Sequence, residues 1–222
     1  MSSSQAAPKT NSAFAKTVAY TLARVVLNTF FMLFYNVRYY GKRNVPDKGA
    51  LLVICNHQSM YDPPLIGAGM TRRRCNYLAR KTLFKFRPFA WLIDLYDAIP
   101  LDIDGIGFAG IKETLKRLKR QEAVLVFPEG ARTFDGEIQE FKPGFITLAV
   151  RSKATIIPAA IAGCHEVWSR EQKYPNSTGY IKVNFGEPIP PEIICSLDEN
   201  ELHKMVEEKV KELYEQIRYG VK

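Results

Sequence analysis

Apolar residues along the chain fall into short runs, and helix-compatible stretches separate these runs. Three runs are rich in aliphatic and β-branched residues, and they lie at residues 50–55, 123–127 and 155–161. Each of them predicts a buried strand. Weaker runs predict further strands at residues 75–79, 98–103 and 180–185. Amphipathic spacing predicts helices, among them residues 105–121, 144–153 and 197–218. Strands that alternate with helices predict an α/β fold, which we expect to be a single-domain αβ sandwich with a mixed, largely parallel central sheet.

Pro158 interrupts the third of these apolar runs. Proline has no N–H group to donate to a neighbouring strand, so it is confined to edge strands and bulges. We therefore expect the strand at 155–161 to lie at an edge of the sheet or to carry a bulge.

Residues 14–40 form a long stretch without glycine or proline that is dense in large apolar side chains. Arg24 and Asn28 interrupt it, and the remaining piece is shorter than the roughly 20 residues that a membrane span needs. Its cations are Lys16, Arg24 and Arg38, and they suit anionic lipid headgroups. We expect a helix that lies in one leaflet of a membrane. A helix packed on the protein's own core is the alternative, and a transmembrane span is the third.

This pattern predicts three parts of the chain. Residues 1–12 are small and polar and predict a disordered tail. Residues 13–40 form the membrane-associating helix, and residues 41–222 form the folded domain. We expect deletion of residues 1–40 to weaken membrane binding far more than folding.

Composition narrows the possible partners. The chain of 222 residues has a net charge of +8 and a pI near 9.3, which suits an anionic membrane, a phosphorylated ligand or nucleic acid. The four cysteines are Cys55, Cys75, Cys164 and Cys195. Their spacing matches neither a Cys-x-x-Cys pair nor a zinc site. We expect reduced, packed thiols, and neither a metal nor a cofactor.

The most informative stretch follows the first strand and contains Asn56-His57-Gln58-Ser59-Met60-Tyr61-Asp62-Pro63-Pro64. The strand delivers His57 to its carboxyl end, where open α/β sheets place their sites. Asp62 before Pro63 predicts a helix start with Asp62 as the N-cap. Five residues advance roughly 500° on a helix, so only a loop can fold Asp62 back onto the imidazole of His57. An imidazole held by a carboxylate is a general base; the alternative is a helix cap beside a surface histidine.

A second motif ends the strand at 123–127 and contains Phe127-Pro128-Glu129-Gly130-Ala131-Arg132-Thr133. Since both motifs follow strands of one sheet, we expect Glu129 and Arg132 to lie near His57. Arginine offers a planar fork for phosphate or carboxylate, and Gly130 allows the backbone to approach a ligand closely. The alternative is a Glu129–Arg132 ion pair that closes the turn. Together the motifs indicate an anionic acceptor that bears a hydroxyl group.

His57-x4-Asp62 within Asn-His-x-Ser-x-x-Asp-Pro, followed by Phe-Pro-Glu-Gly-x-Arg-Thr, resembles the glycerolipid acyltransferases, in particular the 1-acylglycerol-3-phosphate acyltransferases. Ile157-Pro158-Ala159 is similar to the family's fourth block, and the resemblance covers roughly residues 49–188. It implies an enzyme of phospholipid synthesis, associated with the cytoplasmic face of a membrane. The implied donor is acyl-CoA or acyl-carrier protein. The implied acceptor is a lysophospholipid, in the first place 1-acylglycerol-3-phosphate.

The resemblance also implies residue roles. His57 would be the general base and Asp62 its orienting partner, with direct attack of the acceptor on the thioester and no acyl-enzyme. Three residues would form the phosphate-binding block, with the arginine on the phosphate: Glu129, Gly130 and Arg132. Lys81, in the segment where the family carries Lys-x-x-Leu-Phe, is a second phosphate candidate.

Ser59 is the hydroxyl residue of the first motif. It lacks the Gly-x-Ser-x-Gly setting of a serine nucleophile, so we expect it to stabilise the loop. The oxyanion that forms during acyl transfer needs hydrogen-bond donors, and backbone N–H groups near Ser59 are the candidates.

The second block departs from the family's pattern. The family carries Gly-x-Ile-x-x-Asp-Arg, whereas this chain has Asp97-Ala98-Ile99-Pro100-Leu101-Asp102-Ile103. Ile103 replaces an arginine that the resemblance assigns to the acceptor phosphate. Another lysophospholipid or an aminolipid therefore stays open as the acceptor.

Two other classes of function stay open. Basic residues at 72–74 and 80–87 could bind single-stranded nucleic acid. That function would leave His57 and Asp62 without a role, and the chain carries no recognisable nucleic-acid-binding motif, so we expect no nucleic-acid partner. The other class is a catalytically idle membrane adaptor, which turnover would distinguish from an enzyme.

Overall fold

The computed structural model describes residues 10–80, 99–101 and 108–218, with side chains for 18–78, Ile99 and 110–218. The strands are β1 (Arg38–Tyr40), β2 (Leu51–Cys55), β3 (Cys75–Arg80), β4 (Ile99–Leu101), β5 (Ala123–Val126), β6 (Thr155–Ala162) and β7 (Lys182–Phe185). The helices are α1 (Thr10–Tyr35), α2 (Asp62–Gly69), α3 (Phe108–Lys119), α4 (Gly144–Ser152), α5 (Cys164–Trp168), α6 (Pro191–Ser196) and α7 (Glu199–Arg218).

The described strands form one seven-stranded sheet in the order β1–β7–β6–β2–β5–β3–β4. Every neighbouring pair is parallel except β6 and β7, which are antiparallel. The predicted mixed, largely parallel sheet is therefore confirmed. The strands predicted at 50–55, 75–79, 123–127 and 180–185 are present to within two residues. Three short elements escaped the analysis of the sequence: β1, α5 and α6.

Alternating side chains on the central strand β2 create two cores. Leu51, Val53 and Cys55 pack with helices α1, α2 and α5 on one face. Leu52 and Ile54 pack with helices α3, α4, α6 and α7 on the other face. All five residues are fully buried, and each large aliphatic side chain contributes about 1.5–3 kcal/mol of transfer free energy. A strand that is apolar on both faces therefore lies at the centre of a three-layer αβα sandwich.

Strand β6 lies in the interior of the sheet, between β2 and β7. The prediction that Pro158 marks an edge strand is therefore wrong, and the extra residue of the irregular pairing lies in the chain opposite and not in β6 itself. Ala159 is the first residue of β6 that pairs with β7, opposite Phe185, and the next bridge joins Ile156 to Ile189. The partner chain takes one more residue than β6 between these two points. The irregularity lies at Pro158, where an N–H group is missing.

Helix α1 ends at Tyr35 and not at residue 40. Asn36 adopts a left-handed backbone conformation with a φ of 41°, which stops the helix. The chain then enters β1, which pairs with β7. At the other end, residues 10–12 belong to α1, whereas the rest of the predicted tail lies outside the described residues.

One face of α1 packs on the domain. Tyr20, Phe31 and Tyr35 are buried members of the first core. Arg24 donates a hydrogen bond of 2.8 Å to the carbonyl oxygen of Thr71, and Tyr39 donates one of 3.2 Å to Asn28. The polar residues that interrupt the apolar stretch thus attach α1 to the domain, so Arg24 does not serve as the headgroup ligand that we expected.

The opposite face of α1 is apolar and exposed, with Val18, Leu22, Val25, Val26, Phe30, Met32, Leu33 and Phe34. The window Val18–Tyr35 has a mean hydropathy of 1.4 and is 17% buried, and by length and composition it is long enough to cross a membrane. Length therefore does not exclude a transmembrane span, which was the third of our alternatives. Because β1 and four buried core residues lie before residue 41, deletion of residues 1–40 would also remove part of the fold.

All four cysteines are free thiols. Cys55, Cys75 and Cys164 are buried, but Cys195 is exposed, so the prediction of packed thiols fails there. Burial raises the pKa of the Cys55 and Cys164 thiols well above their usual value, which keeps both protonated. The described residues contain no group of three or more side chains that could hold a metal ion.

Candidate active site

The two sequence motifs lie side by side at one edge of the sheet. Strands β2 and β5 are parallel neighbours, with Ile54 opposite Val126. The loops that follow these strands therefore leave from adjacent positions. Their contact was an expectation from the sequence, and the hydrogen bonds described below confirm it.

The imidazole of His57 contacts the carboxylate of Asp62. The distance from His57 Nδ1 to Asp62 Oδ2 is 2.8 Å, and the Asp62 side chain is fully buried whereas that of His57 is 18% exposed. A carboxylate oxygen accepts the hydrogen bond that Nδ1 donates, and in the neutral imidazole with this tautomer Nε2 carries the free lone pair. The predicted folding of Asp62 back onto His57 is thus confirmed.

Asp62 does not cap helix α2, which corrects the prediction from Asp62-Pro63. The residue belongs to the first turn of α2, and its carboxylate points back along the chain. Oδ2 accepts the N–H groups of Gln58 at 2.6 Å and of Ser59 at 2.7 Å. One oxygen atom therefore binds the imidazole and fixes the loop that carries it.

Phe127 forms the apolar wall beside the histidine. Its ring stacks on the His57 imidazole with a centroid distance of 4.0 Å and an interplanar angle of 12°. Together with the hydrogen bond to Asp62, this stacking fixes the plane of the imidazole. Nε2 is therefore presented in one orientation.

Glu129 is buried and serves the backbone of the His57 loop. Oε1 accepts the N–H of His57 at 2.7 Å, and Oε2 accepts the N–H of Gln139 at 3.1 Å. Burial raises the pKa of Glu129 to about 7, although both hydrogen bonds act in the opposite direction. These contacts suit a residue that positions His57, whereas a carboxylate would repel the phosphate that the resemblance places here.

The residues after Glu129 pass alongside His57. The N–H of Thr133 donates to the carbonyl oxygen of His57 at 2.9 Å. The segment from Glu129 to Thr133 is therefore bound to the backbone of His57 at both of its ends. Gly130 has a φ of +75°, a conformation that favours glycine. Arg132 lies in the same short segment, and its carbonyl oxygen accepts a hydrogen bond from Arg170.

Lys81, Asp97 and Ile103 lie outside the described residues. Arg80 ends strand β3, and it stands three residues before Leu83, the spacing of lysine and leucine in the family's Lys-x-x-Leu-Phe segment. Arg80 is therefore as good a candidate as Lys81 for a cation at this end of the strand.

Ser59 stabilises the loop, as we expected. Its hydroxyl donates to the carbonyl oxygen of Trp168 at 2.8 Å and accepts the N–H of Tyr61 at 3.3 Å. The N–H groups of Gln58 and Ser59 are both bound to Asp62. These two groups are therefore not free to bind an oxyanion, against the earlier expectation.

Two further residues of the first motif hold the site together, and the sequence did not reveal their roles. The side chain of Asn56 exchanges two hydrogen bonds of 2.9 Å with the backbone of Ile161, much as a paired strand would. The buried amide of Gln58 donates to the carbonyl oxygen of Gly136 and accepts the N–H of Cys164. An amide directly after a strand end was the only signal for either role.

The basic residues at 72–74 are largely used within the protein. Arg72 pairs with Asp47, and Arg73 donates to the carbonyl oxygens of Pro46, Gly49 and Gln121. The guanidinium of Arg74 lies 4.8 Å from the ring centroid of Tyr20. These contacts weaken the case for a nucleic-acid interface at this position.

Comparisons with known proteins agree with this geometry. A family model described as Acyltransferase matches residues 36–162, more than half of the chain. A 1-acyl-sn-glycerol-3-phosphate acyltransferase of Bacillus subtilis is 28% identical over 198 residues, which cover 87% of this chain and 96% of that relative. A protein of the same name from Streptococcus pneumoniae is 25% identical over 69% of this chain, and the match spans 56% of that relative's length.

A solved structure shares the fold. The crystal structure of the 1-acyl-sn-glycerophosphate (LPA) acyltransferase PlsC from Thermotoga maritima matches with a TM-score of 0.77 and 26% sequence identity. The match covers 93% of this chain and 83% of the PlsC chain. The sandwich, the paired motifs and these relatives lead to one conclusion: the chain belongs to the Acyltransferase family and is an enzyme similar to the 1-acyl-sn-glycerol-3-phosphate acyltransferases.

Proposed function

We propose that the enzyme transfers a fatty acyl group from acyl-CoA or acyl-carrier protein to the free hydroxyl of a lysophospholipid, with 1-acylglycerol-3-phosphate as the acceptor. The observation that carries this proposal is the contact of 2.8 Å between His57 and the fully buried Asp62. A base in this setting can deprotonate a hydroxyl group. The names of the relatives supply the acceptor.

In this mechanism His57 acts as the general base and Asp62 as its orienting partner. Nε2 takes the proton as the acceptor oxygen attacks the thioester carbon, and Asp62 stabilises the imidazolium that forms. The tetrahedral intermediate then expels the thiolate, which takes the proton from His57. The acyl group moves directly from donor to acceptor, and no bond to the protein forms.

Arg132, with Lys81 or Arg80, supplies positive charge for the acceptor phosphate. Glu129 and Gly130 contribute to the same block as its supports, since one holds the His57 backbone and the other allows the turn. Because Ile103 stands where the family carries an arginine, another lysophospholipid or an aminolipid is the second candidate acceptor.

The exposed apolar face of α1 docks the enzyme on the cytoplasmic face of an anionic membrane. Leu22, Val26 and Leu33 are 60%, 66% and 77% exposed, which is costly in water and favourable among lipid chains. The inner face of α1 packs on the catalytic domain. Docking through the outer face would therefore place the domain directly at the leaflet that holds its acceptor.

The test measures thiol release from palmitoyl-CoA by the full chain in detergent micelles. We expect release that depends on lysophosphatidate, with kcat reduced by roughly 10²–10⁴-fold in His57→Ala. His165→Ala is the matched control, because it removes a histidine outside the dyad and should retain activity. Thermal unfolding of each variant shows whether a loss of activity reflects a loss of fold.

Other outcomes have distinct meanings. Equal release by His57→Ala would exclude the proposed base. Release with another lysolipid but not with lysophosphatidate would select the second candidate acceptor. If no acceptor causes thiol release from either palmitoyl-CoA or a palmitoylated acyl-carrier protein, the membrane adaptor would be favoured.

A further inference from the structure

Lys142 is a cation that lies against the second motif without belonging to it. The backbone N–H of Lys142 donates a hydrogen bond of 3.0 Å to the carbonyl oxygen of Pro128. Its side chain crosses Gly130: a methyl group on that glycine would lie 2.8 Å from Lys142 Nζ and 3.4 Å from Cδ and Cε. Gly130 favours its left-handed backbone conformation, and the absence of a side chain there lets Lys142 lie directly against the loop.

Gly130, which the Lys142 side chain crosses, belongs to a loop that is hydrogen-bonded to the backbone of His57. Glu129 binds the N–H of His57 and Thr133 binds its carbonyl oxygen. Gly130 and Arg132 lie between these two attachments. The ammonium of Lys142 therefore adjoins the segment that carries Arg132 past the catalytic base.

The charge of Lys142 is not neutralised by the part of the chain that the structure describes. Its side chain is exposed, and its ammonium makes neither a hydrogen bond nor an ion pair with any described residue. The acidic residue of the second motif, Glu129, has both oxygens on backbone N–H groups. An unpaired ammonium on a flexible stem is well suited to a phosphate oxygen.

We propose that Lys142 binds the phosphate monoester of the acceptor together with Arg132. The inference rests on the proposed function and extends it, since it adds a cation to the phosphate site. In a glycerophosphate only one carbon separates the carbon bearing the reacting hydroxyl from the phosphate ester oxygen. The phosphate must therefore lie close to His57, where Gly130 and Lys142 are placed. A phosphate group of acyl-CoA shares this chemistry, so the experiment separates the two sources.

The experiment compares Lys142→Met, which keeps the length of the stem, with Lys142→Arg, which keeps the charge. Lys119→Met is the matched control, because it removes an exposed cation from α3. Lysophosphatidate is varied at saturating palmitoyl-CoA, and palmitoyl-CoA at saturating lysophosphatidate. We expect Lys142→Met to raise the KM for lysophosphatidate roughly tenfold, equivalent to about 1.4 kcal/mol. The kcat and the KM for palmitoyl-CoA should change little, and Lys142→Arg should recover most of the affinity.

Three results would overturn the inference: an unchanged KM for lysophosphatidate, a rise confined to palmitoyl-CoA, or an equal rise for monoacylglycerol, which has no phosphate. The two proposals fail in different arms of the experiment. A wild-type enzyme that does not acylate lysophosphatidate defeats the proposed function, and this inference with it. If the wild-type enzyme acylates lysophosphatidate and the Lys142→Met variant has the same KM for it, this inference alone is wrong.

Discussion

At the scale of single residues, the site is built from backbone hydrogen bonds to buried carboxylates. Asp62 binds two N–H groups and the imidazole, and Glu129 binds one N–H group from each of two loops. Both carboxylates act on the backbone that positions the imidazole. A carboxylate that accepts several N–H bonds fixes a loop more strongly than a neutral acceptor would.

The raised pKa of Glu129 makes a prediction about stability. Its pKa is about 7 in the folded protein, against a usual value of 4.5. Between these values the folded protein binds more protons than the unfolded chain, so the contribution of Glu129 to stability falls as the pH rises. Glutamine cannot ionise. The free energy of unfolding of the wild type, relative to Glu129→Gln, should therefore fall by on the order of 2 kcal/mol between about pH 5 and pH 8.

Urea denaturation of both proteins across this range measures the difference. Glu137→Gln is the control, because Glu137 lies in the same loop and is partly exposed. A difference between wild type and Glu129→Gln that does not change with pH would show that Glu129 is ionised in the folded protein throughout this range.

At the scale of elements, α1 explains why a sequence can predict a helix and misjudge its surroundings. Residues on both faces of α1 are apolar, so periodicity could not identify the side that packs on the domain. The decisive residues are Arg24 and Asn28, which appeared to be interruptions of an apolar stretch and prove to be contacts with the domain. Polar residues in a long apolar helix can thus mark its protein-facing side.

This assignment predicts that the outward face of α1 can be altered without loss of fold. Leu22→Glu with Val26→Glu places two charges on exposed positions and should reduce binding to phosphatidylglycerol vesicles at least tenfold, because a carboxylate is poorly tolerated among lipid chains. The free energy of unfolding should change by less than about 1 kcal/mol. Sedimentation with vesicles measures the binding.

The matched control places the same charges elsewhere. Val150→Glu with Ile193→Glu changes two exposed apolar residues on α4 and α6, and this variant should bind vesicles nearly as well as the wild type. Equal binding by the α1 variant and this control would exclude the outer face of α1 as the docking surface.

At the scale of the whole molecule, the sequence predicted the main strands and a possible contact between His57 and Asp62, but not the strand order or the supports of the site. Strands buried on both faces give continuous apolar runs, and residues 50–55 and 123–127 were therefore found directly. The strand end and the loop allowed a contact of His57 with Asp62, and the structure decided between it and a helix cap beside a surface histidine. The roles of Asn56, Gln58 and Glu129 could not be predicted, because each depends on a backbone atom that is distant in sequence.

The overall charge adds a second contribution to membrane binding, distinct from that of α1. The net charge of +8 and exposed cations such as Lys112 and Lys116 of α3 should attract an anionic surface over a distance set by the Debye length. That length falls from about 10 Å at 0.1 M salt to about 3 Å at 1 M salt. Apolar burial is not screened in this way.

Vesicle binding should therefore respond to salt in two parts. Between 0.1 M and 1 M salt, binding to phosphatidylglycerol vesicles should weaken severalfold and then level off at the affinity for neutral phosphatidylcholine vesicles, which α1 alone provides. The Leu22→Glu, Val26→Glu variant should lose this salt-resistant part and keep the salt-sensitive part. Complete release of the wild type at 1 M salt would mean that charge alone holds the enzyme on the membrane, and the exposed apolar face of α1 would then need another partner.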